Sequence, residues 1–145
     1  MEFVISSAEK LIDGAEIPIY AAVAIDSKII AASSNEVEKN NKSWHHAEFL
    51  AITKACEILG TKYLDTASLY VNLEPCAFCA AALEKVRIKN IFYAAYDHKC
   101  GAIIHGVRFF DNSMIKPNII GGIQEQRASE LLTRFFKKLR NAKNG

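Results

Sequence analysis

Five short apolar segments, the last three set among stretches of helical periodicity, limit the folds open to this chain more than any other feature. The first two, "IYAAVAI" and "KIIAAS", are separated only by Asp26 and Ser27. That spacing reads as a hairpin of buried strands joined by a tight turn. "ASLYVNL", "NIFYAAY" and the shorter "NIIGG" follow as single strands. Helical spacing marks the intervals: Phe3, Val4, Ala8, Leu11 and Ile12 before the hairpin, with Gly14 as the stop, and "HAEFLAITKACEILG" after it, ended by Gly60. In that second helix Phe49, Leu50, Ile52 or Thr53, Cys56 and Leu59 are expected on one side, and the preceding "SNEVEKNNKSW" is expected to be a loop. A further helix, "CAFCAAALEKVR", follows Pro75, which suits a first turn because its missing N–H has no partner there. A short helix near Val107 to Phe110 precedes the last strand. The final helix, about 123–141, sets Leu131, Leu132, Phe135, Phe136 and Leu139 at core spacing. Strands alternating with helices after an opening hairpin predict a three-layer α/β/α sandwich around a mixed sheet.

With 145 residues, half of them hydrophobic and 23% charged, the chain reads as one globular domain over 1–145. Its longest apolar run, Ile17 to Ile25, is too short to span a bilayer and contains Pro18. The start carries Glu2 and no basic leader, so a cytoplasmic location is expected. Four cysteines, at 56, 76, 79 and 100, lack the spacing of a small disulfide-stapled module, and reduced thiols are expected. Charge is uneven. The whole chain is +2, whereas the segment from Ile123 to Gly145 is +4. A basic tail on a near-neutral body suits an anionic partner such as nucleic acid, although charge alone favours a solvated helix end whose cations complement the dipole.

Two helices begin with metal-type ligands. One opens at His46-Ala47-Glu48, the other at Pro75-Cys76-Ala77-Phe78-Cys79. Positions i and i+3 share a helix face, so both thiols reach one ion, and the positive end of the helix favours the thiolates zinc requires. A redox pair needs no His-x-Glu elsewhere. A closed structural site needs a fourth protein ligand, for which no second Cys-x-x-Cys or His pair stands ready. Two thiolates and one imidazole leave a position open, the catalytic arrangement, and Glu48 is placed to carry a proton.

His46-x-Glu48 followed by Pro75-Cys76-x-x-Cys79 is the signature of the zinc-dependent cytidine-deaminase-like superfamily, whose deaminase mechanism is a known pattern. The resemblance implies a mixed, about five-stranded sheet, one Zn2+ per subunit on His46, Cys76 and Cys79, and Glu48 as the proton shuttle. "SLYVNLEPCAFCAAALEKVRIKNIFYAAYDHKCGA" and the terminal "RFFKKLR" resemble the bacterial tRNA-specific adenosine deaminases, from about Pro18 to Arg140. That likeness implies deamination of the wobble adenosine of a tRNA anticodon to inosine, usually by a homodimer. It implies substrate contacts from Asn35, the Ala47 backbone, Pro75, Asp97, Lys99, Phe135, Phe136, Lys137, Lys138 and Arg140. One of the adjacent Phe135 and Phe136 is expected in the core. The chain departs from the family pattern at Tyr20, Phe78, Tyr96 and Ile103-Ile104-His105. A guanine- or cytosine-type deaminase of the same superfamily is the alternative; a zinc-stabilised binding module is another, against which Glu48 speaks.

Overall fold

The computed structural model describes residues 1–145. Strand β1 (Tyr20–Ile25) and strand β2 (Lys28–Ser34) form the hairpin, and both turn residues, Asp26 and Ser27, take left-handed backbone angles, φ 48° and 64°. Two such residues give a turn whose twist matches that of the strands it joins. The remaining strands are β3 (Ser68–Leu73), β4 (Asn90–Ala95) and β5 (Asn118–Ile120). They assemble into one five-stranded sheet of order β2-β1-β3-β4-β5. β1 is antiparallel to β2 and β3, while β3, β4 and β5 run parallel, so the sheet is mixed as the sequence predicts.

Helices cover both faces. α1 (Glu2–Glu9) and α5 (Glu125–Asn144) pack on one side, against β1, β3 and β4. α3 (Ala47–Leu59) and α4 (Ala77–Lys85) pack on the other. The larger core lies under α3 and α4 and includes Val23, Ala51, Leu69, Val71, Leu83, Ile91 and Tyr93. A smaller one under α1 and α5 joins Ile5, Ala94, Ala95, Ala128 and Leu132. No helix is long and apolar enough to cross a membrane.

Several local expectations are corrected. α1 ends at Glu9, not Gly14, because the chain there leaves the helix through successive turns, in which Leu11 N–H bonds to Ala8 and Gly14 N–H to Leu11. A single helical turn, α2 (Val37–Asn40), lies within the segment read as a loop. The buried side of α3 is Ala47, Glu48, Ala51, Ile52 and Ala55, whereas Leu59 is exposed and Phe49, Leu50 and Cys56 are half-buried. Alanine lets the helix axis approach the sheet closely, so the small residues rather than the large ones face inward. Pro75 precedes α4 instead of occupying its first turn, because Cys76 is the cap. The short helix near 107–110 is a 3₁₀ turn at Phe109–Asp111. Of the apolar residues beside it, Ile103 and Phe110 are core and Ile104 is exposed.

Candidate metal and deaminase site

β2 and the short α2 lead the chain to the start of α3, and β3 leads it to the start of α4; both starts are unusual. His46 caps α3 and Cys76 caps α4, each with extended backbone (φ/ψ −69°/151° and −76°/174°) and neither making a side-chain cap hydrogen bond. An N-cap side chain ordinarily accepts from the first turn. Here the backbone begins the helix, with Leu50 N–H donating to His46 O (3.0 Å) and Ala80 N–H to Cys76 O (2.8 Å), and the side chains are free to face each other.

They do so closely. His46 Nδ1 lies 3.6 Å from Cys76 Sγ and 3.4 Å from Cys79 Sγ, and the three donor atoms all lie within 4.8 Å of one another. A tetrahedral zinc ion with ordinary Zn–S and Zn–N lengths sets nitrogen and sulfur about 3.6 Å apart. Spacing and chemistry therefore both fit: two sulfurs and an imidazole form a donor set for one zinc ion, with three protein ligands and a fourth position left to a small molecule.

Electrostatics bear on the same point. The Cys76 thiol is held at about 4, chiefly by the hydrogen bond from Cys79 and further by His46. The Cys79 thiol is pushed up by its bond to Cys76, by burial and by the Glu48 charge. A cation bound between the two sulfurs displaces the proton of any thiol among them. The Cys76 sulfur in turn raises the His46 imidazole above its usual value. Glu48, second residue of α3, is only 5% exposed, and burial raises its carboxyl above the usual range. Its Oε2 accepts from Cys79 Sγ at 3.6 Å, so the carboxylate stands beside the ligands without belonging to the set of three.

The other predicted residues scatter around this centre. Asn35 is 6% exposed, and its Nδ2 donates to Glu16 Oε2 (3.0 Å). A carboxylate only accepts, which fixes the amide and leaves its oxygen as the free face. The next residue, Glu36, donates its N–H to His45 O at 3.0 Å, tying this segment to the neighbour of His46. Ala47 and Pro75 are buried, so Ala47 offers backbone rather than side chain. Asp97 Oδ1 accepts from the N–H groups of Lys99 (3.1 Å) and Cys100 (3.0 Å), capping its own loop, while Lys99 itself is exposed. Phe135 is 4% exposed and packs in the core, whereas Phe136 is 39% exposed. Of that pair Phe135 is thus the core member and Phe136 the one with surface. Lys137 and Arg140 are exposed, and Lys138 pairs with Asp13. Sequence reasoning passed over Glu16 and Glu74. The second carried a legible signal, a charged residue closing an apolar strand directly before Pro75 and Cys76.

Fold and donor set together define a zinc-dependent hydrolytic deaminase. The MafB19-like deaminase family model matches residues 1–140. A tRNA-specific adenosine deaminase of Rickettsia felis is 38% identical over 144 residues, which is 97% of this chain and 100% of the relative. A solved structure from studies of A-to-I editing by tRNA:A34 deaminases at the wobble position of transfer RNA is 39% identical, with a TM-score of 0.87 over 90% of this chain and 96% of its own. A guanine deaminase from Bacillus subtilis is 38% identical with a TM-score of 0.61, over 66% of this chain and 61% of its own. The chain belongs to the MafB19-like deaminase family and groups with the tRNA-specific adenosine deaminases.

Proposed function

We propose that this chain hydrolyses the wobble adenosine of a tRNA anticodon to inosine and ammonia. The observation that carries the reading is the convergence of His46, Cys76 and Cys79 beside buried Glu48, in a chain matched along nearly its whole length by tRNA-specific adenosine deaminases. Zinc on that donor set supplies a Lewis acid that lowers the pKa of a water to about 7. Glu48 takes a proton from the water and delivers it to ring N1. The C6–O bond forms as the water adds; Glu48 then carries the added hydroxyl's proton to the amine as the C6–N bond breaks, leaving the C6 carbonyl and ammonia. Burial suits Glu48 to this work, because a carboxyl raised above its usual range holds a proton more readily than an ordinary carboxylate and can pass it on.

Asn35, the Ala47 backbone and Pro75 border the base. Asp97 and Lys99 border the flanking RNA. Phe136, supported from the core by Phe135, covers the base, and Lys137, Lys138 and Arg140 meet phosphates. The anticodon loop is already single-stranded, so presenting its base costs less than extrusion from a duplex. One deaminase domain over 1–145, ending in its basic helix, does this in the cytoplasm as a homodimer.

The test is inosine formation by purified, zinc-loaded protein on an anticodon stem-loop with adenosine at the wobble position, with guanine and cytosine run beside it. Deamination of the stem-loop alone is the expected result. A second reading, guanine deamination, draws on the partial likeness to the Bacillus subtilis enzyme. Product from guanine with none from the stem-loop replaces the first reading with the second.

A further inference from the structure

Glu74 is a fully enclosed carboxylate, 2% exposed, with no part in the proton transfer above. It closes β3 and directly precedes Pro75 and the zinc ligand Cys76. A buried charge of this kind is tolerated only when hydrogen bonds replace its water. All of those bonds come from one loop, residues 97–105. Oε1 accepts from Asp97 N–H (3.2 Å) and lies 2.7 Å from His105 Nδ1. Oε2 accepts from the N–H groups of Ile103 (3.1 Å), Ile104 (3.0 Å) and His105 (3.1 Å). Burial opposes the charge, but these donors outweigh it and hold the carboxyl below its usual value, so His105 Nδ1 carries the hydrogen.

The loop is also joined to the ligand segment through backbone. Ala102 N–H donates to Pro75 O at 2.9 Å, and Cys76 forms an antiparallel bridge with Gly101. Gly101 is wrapped so tightly on the carboxylate that a Cβ there would lie 2.4 Å from Asp97 O and 2.6 Å from Glu74 Cδ. His105 is the only side chain in the set of donors, and it is partly exposed. Its ring stands 4.4 Å from that of His98 and 6.0 Å from that of Tyr96, centroid to centroid. The carboxylate is thereby connected to the exposed tip that carries Lys99.

We propose that Glu74 and His105 are positioning residues that fix the Asp97–Lys99 tip at a set distance from Cys76, so that RNA bound by the tip is in register with the metal centre. An apolar plug in place of Glu74 could fill the space but would not direct four N–H groups and an imidazole. The proposal rests on the RNA-deaminase reading above. Its effect falls on RNA binding rather than on the chemical step.

His105 is the residue to vary, since its partly exposed position tolerates change. His105→Ala removes the side-chain donor. His105→Asn restores one, because the Asn amide nitrogen occupies nearly the place of Nδ1. With the zinc-loaded protein and the anticodon stem-loop, His105→Ala is expected to raise KM and the RNA Kd about tenfold, the size of a lost charge-assisted hydrogen bond. The same variant keeps kcat within about twofold and a full zinc complement, and His105→Asn recovers most of the affinity. Unchanged KM in His105→Ala overturns the proposal, as does a parallel loss of kcat, KM and zinc that His105→Asn fails to rescue. Amide hydrogen exchange at Ile103, Ile104 and His105 reads the clamp without any substrate: it should quicken in His105→Ala and not in His105→Asn. If wild-type protein makes no inosine, the deaminase reading fails while this exchange pattern still upholds or refutes the clamp.

Discussion

Glu48 Oε2 and Cys79 Sγ stand 3.6 Å apart although 31 residues separate them in the chain. The contact puts the carboxylate proposed to carry the proton against a residue of the donor set while keeping it out of that set. Glu48→Gln preserves the shape and removes the proton carrier. Turnover should fall by about 10²–10⁴-fold, the usual contribution of a positioned acid–base group. Zinc per chain, measured by elemental analysis, should stay at the wild-type value.

Cys76→Ala leaves one sulfur and one imidazole. Zinc content should drop to a small fraction of wild type, and the midpoint of thermal unfolding should fall, because binding energy at such sites is folding energy. A chelator applied to the wild-type protein should abolish inosine formation, and added zinc should restore it.

The basic end of α5 predicts a salt effect. Replacing Lys137, Lys138 and Arg140 by Gln should weaken binding to the stem-loop. It should also reduce the slope of log K against log salt by about 2, at roughly 0.7 per phosphate contact on single strands. Lys138 is paired with Asp13, so Lys138→Gln alone is expected to show the smallest change of the three single variants. Binding titrations at several salt concentrations measure both quantities.

α3 meets the sheet through alanines, and Ala51 and Ala55 are both fully buried. Ala51→Leu adds three carbons where no space exists. It should destabilise the protein by about 1–3 kcal/mol, read from denaturant unfolding, by the ordinary penalty of overpacking.

Arg127 joins the first and last helices, its guanidinium contacting Glu9 (2.6 Å) and Glu2 (2.6 Å). Hydrogen bonds from Arg127 lower both carboxyls from the ordinary 4.5. In acid the unfolded chain binds their protons first, so the stabilisation is present above pH 4.5 and lost as pH falls through the lowered values. The stability difference between wild type and Arg127→Gln should therefore shrink below pH 4.5. It should shrink with added salt as well, since these groups are exposed.

The parts of this molecule written into the sequence are those governed by local chemistry. Asp26-Ser27 marks a tight hairpin turn, Gly60 supplies the left-handed cap that ends α3, and the His46-x-Glu48 and Cys76-x-x-Cys79 spacings place donors on helix starts. What escaped depends on neighbours distant in the chain. Hydrophobicity pointed to Phe49 and Leu59 as the inner side of α3, yet the closeness of β1 and β2 selects Ala47, Ala51 and Ala55. Phe135 and Phe136 are equivalent by composition, and only their placement on α5 separates core from surface. Glu16 and Glu74 are ordinary carboxylates in sequence. Their partners, Asn35 and the 97–105 loop, lie 19 and 23 to 31 residues away, so nothing local names those partners, even where the place of Glu74 before Pro75 marks the residue itself.

The caps of α3 and α4, His46 and Cys76, face each other although they stand 30 positions apart in the chain, and neither helix start has a side-chain cap of its own. The ion that holds them also fastens a loop containing all of α3 and β3. Loss of the ion would therefore cost the protein its metal chemistry and the fastening of that loop at one stroke.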